Sequence, residues 1–189
     1  MHRIIVLIAL LATAEVPAAD YKVGDKLPAR PAAAHAGFRE VSWDDLLPKG
    51  WDPMQPLKDL RLDKLKDSDP RAIEALEKLR QMWNAAPINT EMNGARIRIA
   101  GFMVPLEWKK TEIREFLLVP YFGACIHVPP PPANQIIHVL ADQPFKSRDG
   151  MDAVWVNGTL ETVNSRTDMG DSGYRLKARL VEEYKAPKG

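Results

Sequence analysis

Cys125 and His127 form a C-x-H pair inside the segment YFGACIHVPPPPANQ, residues 121–135. A thiolate and an imidazole together suit zinc or copper better than calcium or magnesium. In extended chain, side chains two apart point the same way, so this pair could share one ion. A pair is still incomplete, because a catalytic zinc takes three protein ligands plus water and a structural zinc takes four. His138 is the third candidate, since the strand after the prolines could bring it back alongside. Glu107, Glu115 and Asp142 are carboxylates whose placement the spacing leaves open. A site of two or three ligands suits a protein that hands metal over, because a closed cage releases its ion slowly. Such an ion should bind less well as pH falls, because both ligand types must lose protons.

The same residues carry other readings. Cys125 is the single cysteine of the 189-residue chain, so it has no internal disulfide partner. It is then a ligand, a buried thiol, a reactive thiol or an intermolecular partner. Free cysteine packs as a small hydrophobe. As a nucleophile it would need a lowered pKa and a base in reach, with His127 or His138 in that role. Parallel side chains at i and i+2 aim poorly at each other, so a non-enzymatic protein is expected. Four prolines, Pro129, Pro130, Pro131 and Pro132, favour a stiff polyproline II segment. Flanked by Tyr121 and Phe122, that segment would lose little entropy on docking to a partner, with no metal involved. A rigid connector between strands is the plainer alternative.

Two motifs mislead. Gly170-Asp171-Ser172-Gly173 matches the sequence around the nucleophilic serine of trypsin-like proteases. That chemistry needs a histidine and an aspartate in register on two barrels, and the rest of the pattern is missing here. The stretch reads instead as a turn before the last strand. Asn157-Gly158-Thr159 fits a glycosylation acceptor, but the motif is short and common.

The elements that must position these residues change character along the chain. Asp69 is a good N-cap and Pro70 suits the first helical position, which predicts a helix from Pro70 to about Trp83. Ile73, Leu76, Leu79 and Trp83 give it one apolar face. A second helix over 57–66 is less clean. From Gly94 the pattern turns strand-like. Arg96 to about Leu106, Phe116 to Val119, Gln135 to Leu140, Ala153 to Thr162 and Tyr174 to Leu180 read as strands, with Asn157-Gly158 a candidate hairpin turn inside the fourth. The continuous apolar run Phe116–Val119 suits a strand covered on both faces. The expected fold is mainly β with N-terminal helices (α+β): a small five-stranded OB-like barrel or sandwich preceded by one or two helices.

The opening MHRIIVLIALLATAEVPAAD has a basic end, an apolar run and small residues after it, the order of a secretory signal peptide. The apolar run is too short for a bilayer span, which needs about 20 residues. The expected organisation is a signal peptide over 1–19, an extended arm or linker over 20–40, a helical extension over 41–93 and a β-barrel-like domain over 94–185. SWDDLLPKGWDP, inside the extension, reads as a short helical turn and a docking loop. A net charge of +1 without a basic block gives no reason to expect nucleic acid. No later stretch is apolar enough to cross a membrane.

RIRIAGFMVPLEW, EFLLVPYFGACIHVPPPPANQIIHV and AVWVNGTLET together resemble an exported bacterial family, the domain of unknown function numbered 3299. SWDDLLP and the helix leading into Ala86-Pro87-Ile88-Asn89 resemble it too, so the likeness covers about residues 40–185. The block from Gly123 to Pro132 is its most distinctive part. The resemblance implies a periplasmic protein. Some members are encoded beside an ABC transporter of the lipoprotein-release type and a histidine-rich periplasmic zinc-binding protein. It therefore implies an accessory role in transition-metal uptake, most of all zinc. The implied partners are a transporter permease or a periplasmic metal-binding protein.

Overall fold

Apolar runs separated by turns become strands, and their order is read from a computed structural model. It describes residues 21–28, 34–35, 37–52, 54–55, 58, 69–107, 111–128, 130–147 and 150–185. In chain order these form β1 (Ala34–His35), β2 (Phe38–Glu40), α1 (Pro70–Asn84), β3 (Arg96–Pro105), β4 (Glu112–Val119), β5 (Ile137–Lys146), β6 (Ala153–Glu161), β7 (Ser165–Thr167), β8 (Gly170–Ser172) and β9 (Tyr174–Glu183). The expected signal peptide lies outside the described residues. So does all of the expected helix over 57–66 except Lys58.

Five strands close on themselves. β3 pairs antiparallel with β4, and β4 with β5. β5 runs parallel to β9, β9 is antiparallel to β6, and β6 returns to β3. This is the expected OB-like barrel, and closure rules out the open sandwich. The interior holds Ile97, Ile99, Phe116, Leu118, Val139 and Leu176. A second apolar cluster covers part of the outside, with Phe102, Leu117, Val119, Ile136 and Trp155. Phe116–Val119 is continuously apolar for that reason: alternate residues face the two clusters.

Asn157-Gly158 is not a hairpin turn. β6 runs straight through it, and the register with β9 shifts there. The shift is a bulge, and glycine permits it because a Cβ at residue 158 would collide with the Lys177 carbonyl. The GDSG stretch is likewise not a simple turn, since Gly170–Ser172 is β8, paired with β7.

β4 pairs with β3 only from Phe102 onward, so the start of β3 has a free edge on that side. β2 takes it, running parallel with Arg39 opposite Ile97 and Glu40 opposite Arg98. The segments before the barrel are then tied down by buried polar groups. Tyr174 Oη donates to the Leu46 carbonyl and accepts from the Asn89 amide, each at 2.6 Å. Gln135 Nε2 donates to the Trp43 carbonyl at 2.9 Å, and Asn134 Nδ2 to the Pro87 carbonyl at 2.8 Å. α1 starts as the sequence predicts, with the Asp69 carboxylate accepting from Arg71 N at 3.0 Å and Pro70 in the first turn.

Candidate functional site: the proline loop and its groove

The chain around Cys125 turns instead of running extended. The Gly123 carbonyl accepts from the amides of Ile126, His127 and Val128 at 3.3, 2.8 and 3.2 Å. Cys125 itself has a left-handed backbone, φ 65°, which a side chain rarely adopts. The premise that put Cys125 and His127 on one face is therefore lost, and their surroundings differ. Cys125 is half-buried against the outer cluster, while His127 is exposed. Burial pushes the thiol from its ordinary 9.0 up to about 11. At neutral pH it is a neutral thiol, and the nucleophile and metal ligand is the thiolate.

His138 lies on β5, opposite Leu117 on β4 and Arg175 on β9. It is buried, and its Nε2 sits 2.7 Å from Glu115 Oε1. A carboxylate neighbour at that distance holds the ring in place without any metal. Among the described residues, no three His, Cys, Asp or Glu side chains gather closely enough to hold an ion. Zinc therefore has no ready three-ligand seat among them.

The expected docking residues divide in the same way. Tyr121 and Phe122 are half-buried and packed against the outer cluster, with the Phe122 ring 5.6 Å from Phe102. Burial is also the larger cause that raises the Tyr121 phenol, with Cys125 the smaller. Pro131 and Pro132 are buried, and Pro132 keeps the polyproline shape at φ −54°, ψ 147°. Pro129 lies outside the described residues. Pro130 alone forms a wall of something open.

That opening is a groove of about 540 Å³ between Pro130 and α1. Ile73, Leu76, Leu79 and Trp83 line it. The sequence marks these four as one apolar face, but the fold buries only Leu79 and, beside it, Ala72. Ile73 is 69% exposed and Leu76 55%. The charges at the rim, Glu77 and Arg80, pair with each other at 2.9 Å. Hydrogen bonds from Arg80 and Gln81 hold the Glu77 carboxyl below the usual carboxylate range. The sequence carries the apolar stripe, but which half of it finds the barrel is decided by tertiary packing.

Comparison with known proteins follows the same residues. The family model described as a protein of unknown function, DUF3299, matches residues 43–183. The match runs from Trp43 into β9, so it takes in α1, the proline loop and the whole barrel. A solved structure of a DUF3299 family protein from Pseudomonas aeruginosa is similar, at 32% identity and a TM-score of 0.62, covering 80% of this chain and 99% of that one. Comparison with curated proteins finds no match. Barrel, helix and proline loop all fall within the matched span, and the chain belongs to the DUF3299 family.

Proposed function

We propose that this chain is a non-enzymatic docking domain that works after export, as a periplasmic accessory of a transition-metal uptake ABC transporter. The observation that carries the reading is the open apolar groove between α1 and Pro130. Ile73 and Leu76 lie three residues apart on α1, facing a proline wall that has few conformations to lose. A contiguous exposed apolar surface of this kind marks interaction sites. The raised pKa of the half-buried Cys125 thiol favours packing over catalysis as its role. The compartment and the transporter setting come from the N-terminal sequence and the family resemblance.

The occupant we assign to the groove is the apolar side of a helix in the extracytoplasmic part of the permease. The rim charges satisfy each other, so nothing at the groove asks for a charged ligand. A helix laid in a groove presents anchors three and four residues apart, which matches the length of α1 that is open. The test is binding of the purified exported chain to the detergent-solubilised permease of a metal-uptake transporter from the same cell. Ile73→Asp with Leu76→Asp is expected to weaken it at least tenfold. Cys125→Ser with His127→Ala is expected to bind as wild type, with or without zinc. Binding that needs zinc and fails with the second pair, or a groove filled by a second copy of this chain, overturns the reading.

A further inference from the structure

The loop after β2 carries Trp43, Asp44 and Asp45, and it covers a cavity of about 340 Å³ that shares no lining residue with the groove. Trp43 is fixed there. Its Nε1 donates to the Ala100 carbonyl at 2.8 Å. Its ring crosses β3 at Gly101, where a Cβ would come within 2.9 Å of Trp43 Cζ2. Glycine at 101 is thus what lets the indole lie against the strand. Val41, Ala100, Pro120 and Trp155 complete an apolar lining.

Carboxylates stand around this lining. Glu40, Asp44 and Asp45 all border the cavity, against a single ammonium, Lys26. Asp45 Oδ2 is engaged, accepting from Ser42 N at 2.7 Å and from Ser42 Oγ at 2.8 Å. Among the described residues, Glu40 and Asp44 have no hydrogen-bond or ion-pair partner for their side chains. Glu40 is half-buried and Asp44 exposed, so a neutral apolar ligand would cost Glu40 part of its hydration without replacing it, and an anion would be repelled. A cation on an apolar body satisfies both parts, since indole rings attract cations and the stem covers apolar surface. The chain makes the same contact next door: the Arg98 guanidinium lies 4.4 Å over the Trp155 ring. Trp43 is the other indole on the cavity lining.

We infer that the cavity between Trp43, Glu40 and Asp44 is a binding site for a protonated primary amine carried on an apolar stem. The amine belongs either to a lysine side chain of a partner protein or to a free polyamine. Its size sits at the lower end of ligand pockets, which suits a single chain of this length.

The experiment is a nitrogen-15 NMR titration of the exported chain with n-butylammonium, cadaverine and the peptide acetyl-Ala-Lys-Ala-amide, with n-butanol as the neutral control. Amines should shift the Trp43 indole N–H together with the Ala100 and Gln135 signals. Glu40→Gln with Asp44→Asn should weaken amine binding at least fivefold while the remaining spectrum stays that of the folded chain. Tighter binding of cadaverine assigns a free polyamine, and tighter binding of the peptide assigns a partner lysine. Equal shifts with n-butanol, or unchanged amine affinity in the double variant, overturn the inference. The docking reading can fail without affecting this outcome, because the two sites share no residue.

Discussion

A methyl group at residue 158 would meet the Lys177 carbonyl and lie 2.9 Å from Ala178 Cα. Gly158→Ala must therefore push β6 off β9, and it is expected to cost about 2–4 kcal/mol of stability, measured by urea unfolding. Cys125 gives a pH-dependent counterpart. Burial raises its thiol from 9.0 to about 11, so the neutral form is the one the fold favours. The unfolded thiol ionises first as pH rises, so this contribution is complete below pH 9 and is lost between pH 9 and about 11. Its ceiling is about 3 kcal/mol. Alkylation by iodoacetamide is expected to be far slower than for a free thiol at neutral pH and to accelerate only toward pH 11. A fast reaction at pH 7 would contradict this. The C-x-H spacing was plain in the sequence. Its geometry was not, because the pair shares a face only in extended chain, and a left-handed residue at the centre of a turn has no reliable signature in a non-glycine side chain.

At the scale of elements, the tie between loops and barrel runs through one hydroxyl. Tyr174→Phe removes it and leaves the Leu46 carbonyl and the Asn89 amide without their partner. The expected loss is about 1–3 kcal/mol. Amide hydrogen exchange should quicken around residues 43–47 and 88–92, while the barrel strands keep their protection. Equal quickening in the barrel would mean that the loops are not fastened separately. α1 behaves differently. Ile73→Asp and Leu76→Asp touch solvent-facing positions, so each should change stability by no more than about 0.5 kcal/mol. The barrel strands were legible because alternation and continuous apolar runs report one covered face or two. β2 was not, because three residues that pair beside β3 carry no periodicity of their own. The open half of α1 was also hidden: an apolar stripe reads the same whether a neighbour covers it or not.

At the scale of the molecule, the five barrel strands among the described residues pair around a closed ring, which leaves them few unpaired edges to associate with other chains. Association is therefore expected through side chains, and the groove beside Pro130 is one place where apolar side chains stand open together. The single cysteine fits this picture as a packed thiol, half-buried against the outer cluster. The most direct measurement is photo-crosslinking in living cells with p-benzoylphenylalanine in place of Leu76, the adducts identified by mass spectrometry. The expected result is an adduct with the permease of a metal-uptake transporter, formed in equal yield when Cys125 is replaced by serine. An adduct with a second copy of this chain, no adduct, or one that disappears with Cys125, would contradict the account.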